Sequence, residues 1–406
     1  MAETRRCDSS KLLTAFWIAT VLLTLSWLPS LAQHDSGKRS HWKGQEAFRS
    51  KGCAQCHAVW GSGGSGGPDL GKRKFYGTYL ELAARMWNHF PKMYGKMQDS
   101  HVVFRSINQQ EMEHLIDYLS FIRYRGEPGD WYKGRELLED KCAKCHRFDG
   151  RGGDVGPDIV NREAYVSSLQ LVESMWNHGP DMAEVFREQG VDRPEFKGND
   201  LEDIAAAVRS YNTTAKVPPD AFLMGDPING QKLFEEKGCI RCHSVDGAGG
   251  TLGPNFAELD LDRSAVQIAG DMWNHAPKMW KLMESENVSF PAFEAGGLAD
   301  VISFLYARRL EDAPGDPEKG QRIIHDKHCL SCHSFRGEGG DVSEDLATLT
   351  GLESPLAMIA AMWNHAPGMR DKQLEKNLDW PKLQGRDMAD LYAFLGGTAS
   401  LLDKGK

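Results

Sequence analysis

Cys239-Ile240-Arg241-Cys242-His243 is a pentapeptide whose pattern returns three more times. The other copies are Cys53-Ala54-Gln55-Cys56-His57, Cys142-Ala143-Lys144-Cys145-His146 and Cys329-Leu330-Ser331-Cys332-His333. Two thiols at i and i+3 followed at once by an imidazole form the attachment pattern of c-type haem. The thiols bond the vinyl groups, and the His becomes an axial ligand of the iron. For a single copy, a structural disulfide or a Cys/His zinc site is the competing reading. Four copies, each with its own His, use eight of the nine cysteines. Four covalent haems c are therefore expected, held by Cys53, Cys56, Cys142, Cys145, Cys239, Cys242, Cys329 and Cys332, with His57, His146, His243 and His333 on the irons.

Outward from the motif, the chain is periodic. Successive first cysteines are 89, 97 and 90 residues apart, the size of a small domain whose core a haem would supplement. Turn-rich joints separate the repeats at Arg125-Gly126-Glu127-Pro128-Gly129-Asp130, Gly225-Asp226-Pro227 and Pro314-Gly315-Asp316-Pro317. The expected domains are 33–125, 126–220, 221–312 and 313–406, close together because the joints are short.

Within each repeat a helix precedes the motif, a glycine loop follows it, and two apolar-periodic helices close the unit. The last two are typified by Leu80-Glu81-Leu82-Ala83-Ala84-Arg85-Met86-Trp87 and by Met112-Glu113-His114-Leu115-Ile116-Asp117-Tyr118-Leu119. No repeat contains a convincing alternating strand, so an all-α fold is expected.

That order of parts resembles the class I cytochrome c fold over nearly all of residues 33–406. The resemblance implies that a first-helix Gly (Gly44, Gly134, Gly230, Gly320) lets a last-helix side chain pack closely. Tyr118, Phe304 and Phe394 hold that place, and the second repeat has Ala207 with Tyr211 one turn on. It further implies that Gly67-Pro68, Gly156-Pro157 and Gly253-Pro254 supply a carbonyl to the motif His. The fourth repeat departs, with Ser343-Glu344 in that place, which puts the support of His333 in question.

A second block recurs: Met86-Trp87-Asn88-His89-Phe90-Pro91-Lys92-Met93 and its counterparts beginning at Met175, Met272 and Met362. Its last Met lies 36 residues past the motif His in every repeat. Trp87, Trp176, Trp273 and Trp363 read as packing against the porphyrin, since indole donates and does not ligate. Three residues per block are candidate second ligands: the first Met, the His and the last Met. They share one face of a continuous helix, so the residues alone leave the choice open. The family resemblance implies Met93, Met182, Met279 and Met369, with Pro91 breaking the helix just before the ligand. His89, His178, His275 and His365 are the alternative ligands. The thioether set gives the higher potentials and the imidazole set the lower. His34, His41, His101, His114, His325 and His328 do not recur between repeats and are expected at the surface.

Residues 1–11 carry Arg5, Arg6 and Lys11, and an apolar run from Leu12 to Leu31 ends in Pro29-Ser30-Leu31-Ala32. This is a secretory signal layout, with cleavage after Ala32 expected and a retained anchor as the alternative. Cys7 lies within it. Export to the periplasm is the compartment that haem attachment requires. The chain has 48 Lys plus Arg against 57 Asp plus Glu, a net charge of −9. That balance argues against nucleic acid and anionic lipid as partners and is compatible with a basic docking protein. The pattern contains no separate catalytic constellation. The expectation is thus an electron carrier between redox protein partners rather than an enzyme. The alternatives are a haem enzyme with one open iron, and a cytochrome subunit or conduit of a membrane oxidoreductase.

Overall fold

The computed structural model describes residues 40–73, 77–160, 167–212, 224–258, 263–294, 296–384 and 386–403. The expected export segment, with Cys7 and the Arg5-Arg6 pair, lies outside the described residues. Residues 40–406 form one compact unit.

The first repeat contributes α1 (Ser40–Ser50), α2 (Tyr79–Asp99) and α3 (Gln109–Arg125). The second has α4 (Trp131–Lys141), α5 (Ser168–Asn177), α6 (Gly179–Gln189) and α7 (Asp200–Tyr211). The third has α8 (Pro227–Glu236), α9 (Ala265–Ser285) and α10 (Gly297–Leu310), and the fourth α11 (Pro317–Asp326), α12 (Pro355–Glu375) and α13 (Asp387–Asp403). Among the described residues the only strands are four two-residue hairpins, such as Ser244–Val245 with Ala248–Gly249, one just after each motif.

The joints act as helix starts. Asp130, Asp226 and Asp316 cap α4, α8 and α11 by accepting two backbone N–H bonds each. Pro227 and Pro317 take the first helical position, where a missing N–H costs nothing. A carboxylate on the last helix (Asp203, Asp300, Asp390) accepts the N–H of that same cap residue. The first and last helices of the second, third and fourth repeats are thereby tied at one end, and in all four repeats they meet at the first-helix glycine. A Cβ on Gly230 would fall inside the Asp300 carbonyl oxygen and within 2.9 Å of the Phe304 Cβ, so only hydrogen fits. Gly44, Gly134 and Gly320 meet His114, Asp203 and Asp390 in the same way.

The long helices differ from expectation. Pro91 does not break α2, and α9 and α12 likewise run through Pro277 and Pro367. A proline inside a helix frees the carbonyl four residues back, here that of the block Trp, and partners from elsewhere in the chain take it up. The Trp380 indole N–H donates to the Trp87 carbonyl at 3.1 Å, and Arg193 Nη1 to the Trp273 carbonyl at 2.6 Å. Only the second repeat splits this helix, at His178, where Gly179 precedes Pro180. Trp280 lies against Gly179 and leaves no room for a side chain there.

The first repeat finds its principal neighbour at the far end of the chain. One apolar core joins the first and fourth repeats, with Trp87, Phe90, Met112, Met358, Trp380 and Met388 among its members. A second core joins the second and third, through Val172, Trp176, Phe196, Trp273, Leu298 and Phe304. Helix α2 packs on α12, and α5 on α9. Cross-links fasten the two pairs: Asp312 accepts the Leu80 N–H and the Thr78 hydroxyl, and Glu202 pairs with Arg125. The arrangement is nested, 1 with 4 around 2 with 3.

The block Trp and Asn make these pairs. Asn177 accepts the Phe293 N–H at 2.8 Å and donates to the Phe293 carbonyl at 2.7 Å. Asn274 does the same with Phe196 at 3.0 and 2.7 Å. Asn88 clamps Leu383, and Asn364 clamps Ile107. The indoles of Trp87, Trp176 and Trp273 donate to Pro381, Pro291 and Pro194 carbonyls of the paired repeat. The reading of these tryptophans as packing on their own repeat's porphyrin is therefore corrected. They are inter-repeat side chains, because their offset of two residues from the block His turns them to the other side of the helix.

Candidate haem sites

Each motif folds as one tight turn. In every repeat the N–H of the motif His reaches back to the carbonyl of the first Cys, at 2.9 Å for His57, His146 and His243 and 3.0 Å for His333. Both thiols and the ring are thereby presented on one wall. In the first and third repeats the residue before the first Cys is left-handed, Gly52 at φ 88° and Gly238 at φ 76°. In the fourth repeat His328 takes that conformation at φ 57°, which is its role there. His328 is exposed as expected, whereas His41 is not at the surface: it is 7% exposed and stacks on Phe121 at 4.4 Å.

The Nδ1 of each motif His faces a backbone carbonyl eleven residues on: Pro68 at 3.0 Å, Pro157 at 2.9 Å, Pro254 at 3.2 Å and Glu344 at 2.9 Å. This bond orients the ring and leaves Nε2 free for a metal. The fourth repeat keeps its support without Gly-Pro, because the acceptor is main chain and any residue carries one. The Ser343 and Val342 N–H groups both turn onto the Cys332 carbonyl to hold this altered loop.

The next carboxylate tightens the loop. Asp69 accepts from the N–H groups of Trp60, Gly61 and Gly71. Asp345 does so from Arg336, Gly337 and Ala347. Partial burial alone would raise the Asp69 pKa, but these donors and Lys72 outweigh it and the net shift is downward. The Gly337 and Ala347 N–H groups lead the lowering at Asp345. Such groups stabilise the fold fully above the ordinary value of 3.8, and the contribution disappears as pH falls through their lowered values. The third repeat has Asn255 there, bonded to the Ala257 N–H, and it does not titrate. An acid titration followed by loop amide resonances is expected to loosen the first and fourth loops while the third holds. Simultaneous loosening of all three would contradict this assignment.

The opposite wall comes from the long helix. The second repeat encloses a cavity of about 590 Å³ lined by Cys142, Cys145 and His146 on one side and Met175, His178 and Met182 on the other. All three candidate second ligands thus reach it. In the fourth repeat the His333 and His365 rings lie with centroids 5.8 Å apart and planes tilted by 54°. A metal held between two imidazole nitrogens at about 2 Å each puts the centroids roughly 6 Å apart. In the first and third repeats the block His is near enough to the motif His for their charges to repel. Partial burial lowers the His89 pKa, with His57 adding to it. Burial, opposed by the Pro254 carbonyl and reinforced by His275, lowers that of His243. Neutral imidazole is the ligating form. Met93, Met279 and Met369 lie one helical turn further on, half-buried.

Burial pushes the first thiol of each motif up, to about 11 for Cys53, Cys239 and Cys329 and about 12 for Cys142. Thiolate sites for zinc need the reverse shift, and no cluster of three or more donors suited to a metal ion occurs among the described residues. The walls therefore fit a flat, covalently tethered macrocycle: apolar lining, two thiols at one edge, and an oriented imidazole with a facing ligand.

A family model described as Cytochrome c matches residues 228–283, which include Cys239, Cys242, His243, His275 and Met279. A cytochrome c domain lies there, and covalent haem c is the cofactor it supports. The chain is similar to the Cbb3-type cytochrome c oxidase subunit FixP of Azorhizobium caulinodans, 27% identical over 150 residues. That match covers 35% of this chain and 47% of the relative, so the chain spans about half the length of the curated relative it matches. No solved structure matches. Haem-based electron transfer is the activity these likenesses support. No helix among the described residues is long and apolar enough to cross a membrane.

Proposed function

We propose that the chain is an exported, periplasmic electron carrier with four covalent haems, one in each of four tandem class I-like repeats. Haem c, when bound, supplies one reversible electron per iron. The chain's residues do the rest. The cysteine pairs tether each macrocycle, the carbonyls of Pro68, Pro157, Pro254 and Glu344 orient the motif His, and the long helix closes the other face.

The observation that carries the reading is the paired imidazoles of His333 and His365 at metal-sandwiching distance, set in a motif present four times. It also favours the block His (His89, His275 and His365) over the later Met as second ligand, because the helix continues through the proline and holds Met93, Met279 and Met369 a turn away. In the second repeat the break at His178 brings His178 and Met182 to one cavity, so Met182 stays the candidate there. The electron-carrier role extends to membership of an oxidase complex, a reading favoured by the FixP likeness.

The test is the oxidised spectrum of the full protein with haem counted by pyridine haemochrome. Four haems are expected, and the weak band near ~695 nm that marks Met on ferric iron is expected for at most one of them. His365→Ala should convert one haem to high spin, whereas Met369→Ala leaves it low spin. Four equivalents of the Met band would restore Met93, Met182, Met279 and Met369. Fewer than four haems would overturn the tetrahaem reading.

A further inference from the structure

We propose that Arg193 raises the reduction potential of the second repeat's iron above the value its ligands alone would set. The inference rests on the haem reading of that repeat. Three residues before the residue clamped by the paired repeat's Asn, each repeat places one side chain on that repeat's block Trp. In three repeats it is aromatic. Phe104 stacks on Trp363 at 5.7 Å, Phe290 on Trp176 at 5.3 Å, and Trp380 lies tilted against Trp87 at 4.5 Å. In the second it is Arg193, whose guanidinium sits 3.8 Å from the Trp273 ring centroid and 5.2 Å from that of Trp280.

This cation is locked in place. Its Nη1 donates to the Trp273 carbonyl that Pro277 leaves free, while Nε and Nη2 are buried without a hydrogen-bond partner. Its neighbours Asp192 and Pro194, and Trp273 beneath it, line the second repeat's cavity. Asp192 and Glu195 are exposed, so water screens their charge far more than that of the guanidinium. Burial lowers the Arg193 pKa to about 10, which keeps it charged at neutral pH. A buried charge with no ion-pair partner is destabilising, and π-faces compensate only in part. The aromatic found in the other three repeats would fill the place without that penalty.

The charge has an electrostatic consequence at the cavity it flanks. When a redox partner protein delivers one electron, ferric iron becomes ferrous and the site loses one positive charge. A fixed cation in a low-dielectric wall stabilises the ferrous form relative to the ferric. The second repeat thereby becomes the preferred electron holder of the inner pair.

Potentiometric titration of the full tetrahaem protein tests this, with haem content measured alongside. Arg193→Phe, the aromatic used at this position by two other repeats, is expected to lower one midpoint potential and leave three unmoved. Arg193→Lys should keep most of the original value. Arg193→Met, neutral and of similar length, repeats the test if Phe disturbs packing. Four unchanged potentials in a variant that retains four haems would overturn the proposal, as would Lys lowering the potential as far as Phe does. Loss of haem from the unsubstituted second repeat would instead strike the haem reading itself.

Discussion

Gly230→Ala is expected to lower the stability of the inner pair by about 3 kcal/mol or more, the upper range for forcing atoms into a packed core. The added Cβ has nowhere to go. It meets the Asp300 carbonyl of α10 and lies 2.9 Å from the Phe304 Cβ, both on a helix buried along most of its length. Relief requires α8 and α10 to separate. That movement would strip the Asp226–Asp300 bond and loosen the turn carrying Cys239 to His243. For a unit of this size, a loss of about 3 kcal/mol lowers the midpoint by roughly 6–12 °C. Calorimetry of the haem-loaded protein reads it directly, and a midpoint within about 2 °C of the parent would show that the crossing has slack the geometry denies.

The paired substitution Asn177→Ala with Asn274→Ala should separate the second repeat from the third while leaving the first and fourth joined. Four hydrogen bonds are lost, and the Phe196 and Phe293 main chains are left with unpaired groups. At about 1 kcal/mol per bond, the loss is roughly 4 kcal/mol. Because the two clamps are reciprocal, each single variant is expected to weaken the other clamp, and the single effects will not sum to the double. Denaturant unfolding should split into two transitions, the earlier one carrying the second and third repeats. A single shifted transition would mean that cross-links such as Arg125 with Glu202 bind the whole unit into one cooperative block.

Much of each site is legible in the sequence because it is local. The motif turn, the Nδ1 acceptor eleven residues on and the carboxylate just after it depend on contacts within a short stretch of one repeat. The first-helix glycine is legible too, since its partner recurs at a similar distance. What misled was local as well. Pro91 reads as a helix end, yet the Trp380 indole of the paired repeat takes up the freed carbonyl and the helix continues, as α9 does through Pro277 with Arg193 as donor. Similarly, Ser343-Glu344 puts the support of His333 in question on sequence, although the acceptor is a carbonyl that every residue supplies.

Four motif turns, a helical unit around each and a short set of facing ligands follow from chain spacing alone, which brings those groups together. Tertiary structure decided which repeat lies beside which. All four carry the same Met-Trp-Asn-His block, so the pattern permits every pairing, and Trp87 meets Pro381 across 294 residues only because the faces of α2 and α12 fit. Tertiary structure likewise turned Arg193 from one arginine among many into a half-buried cation, its Nε and Nη2 shut off from water, beside a cavity wall. Its charge acquires consequence from the indoles that exclude water around it, and those belong to another repeat.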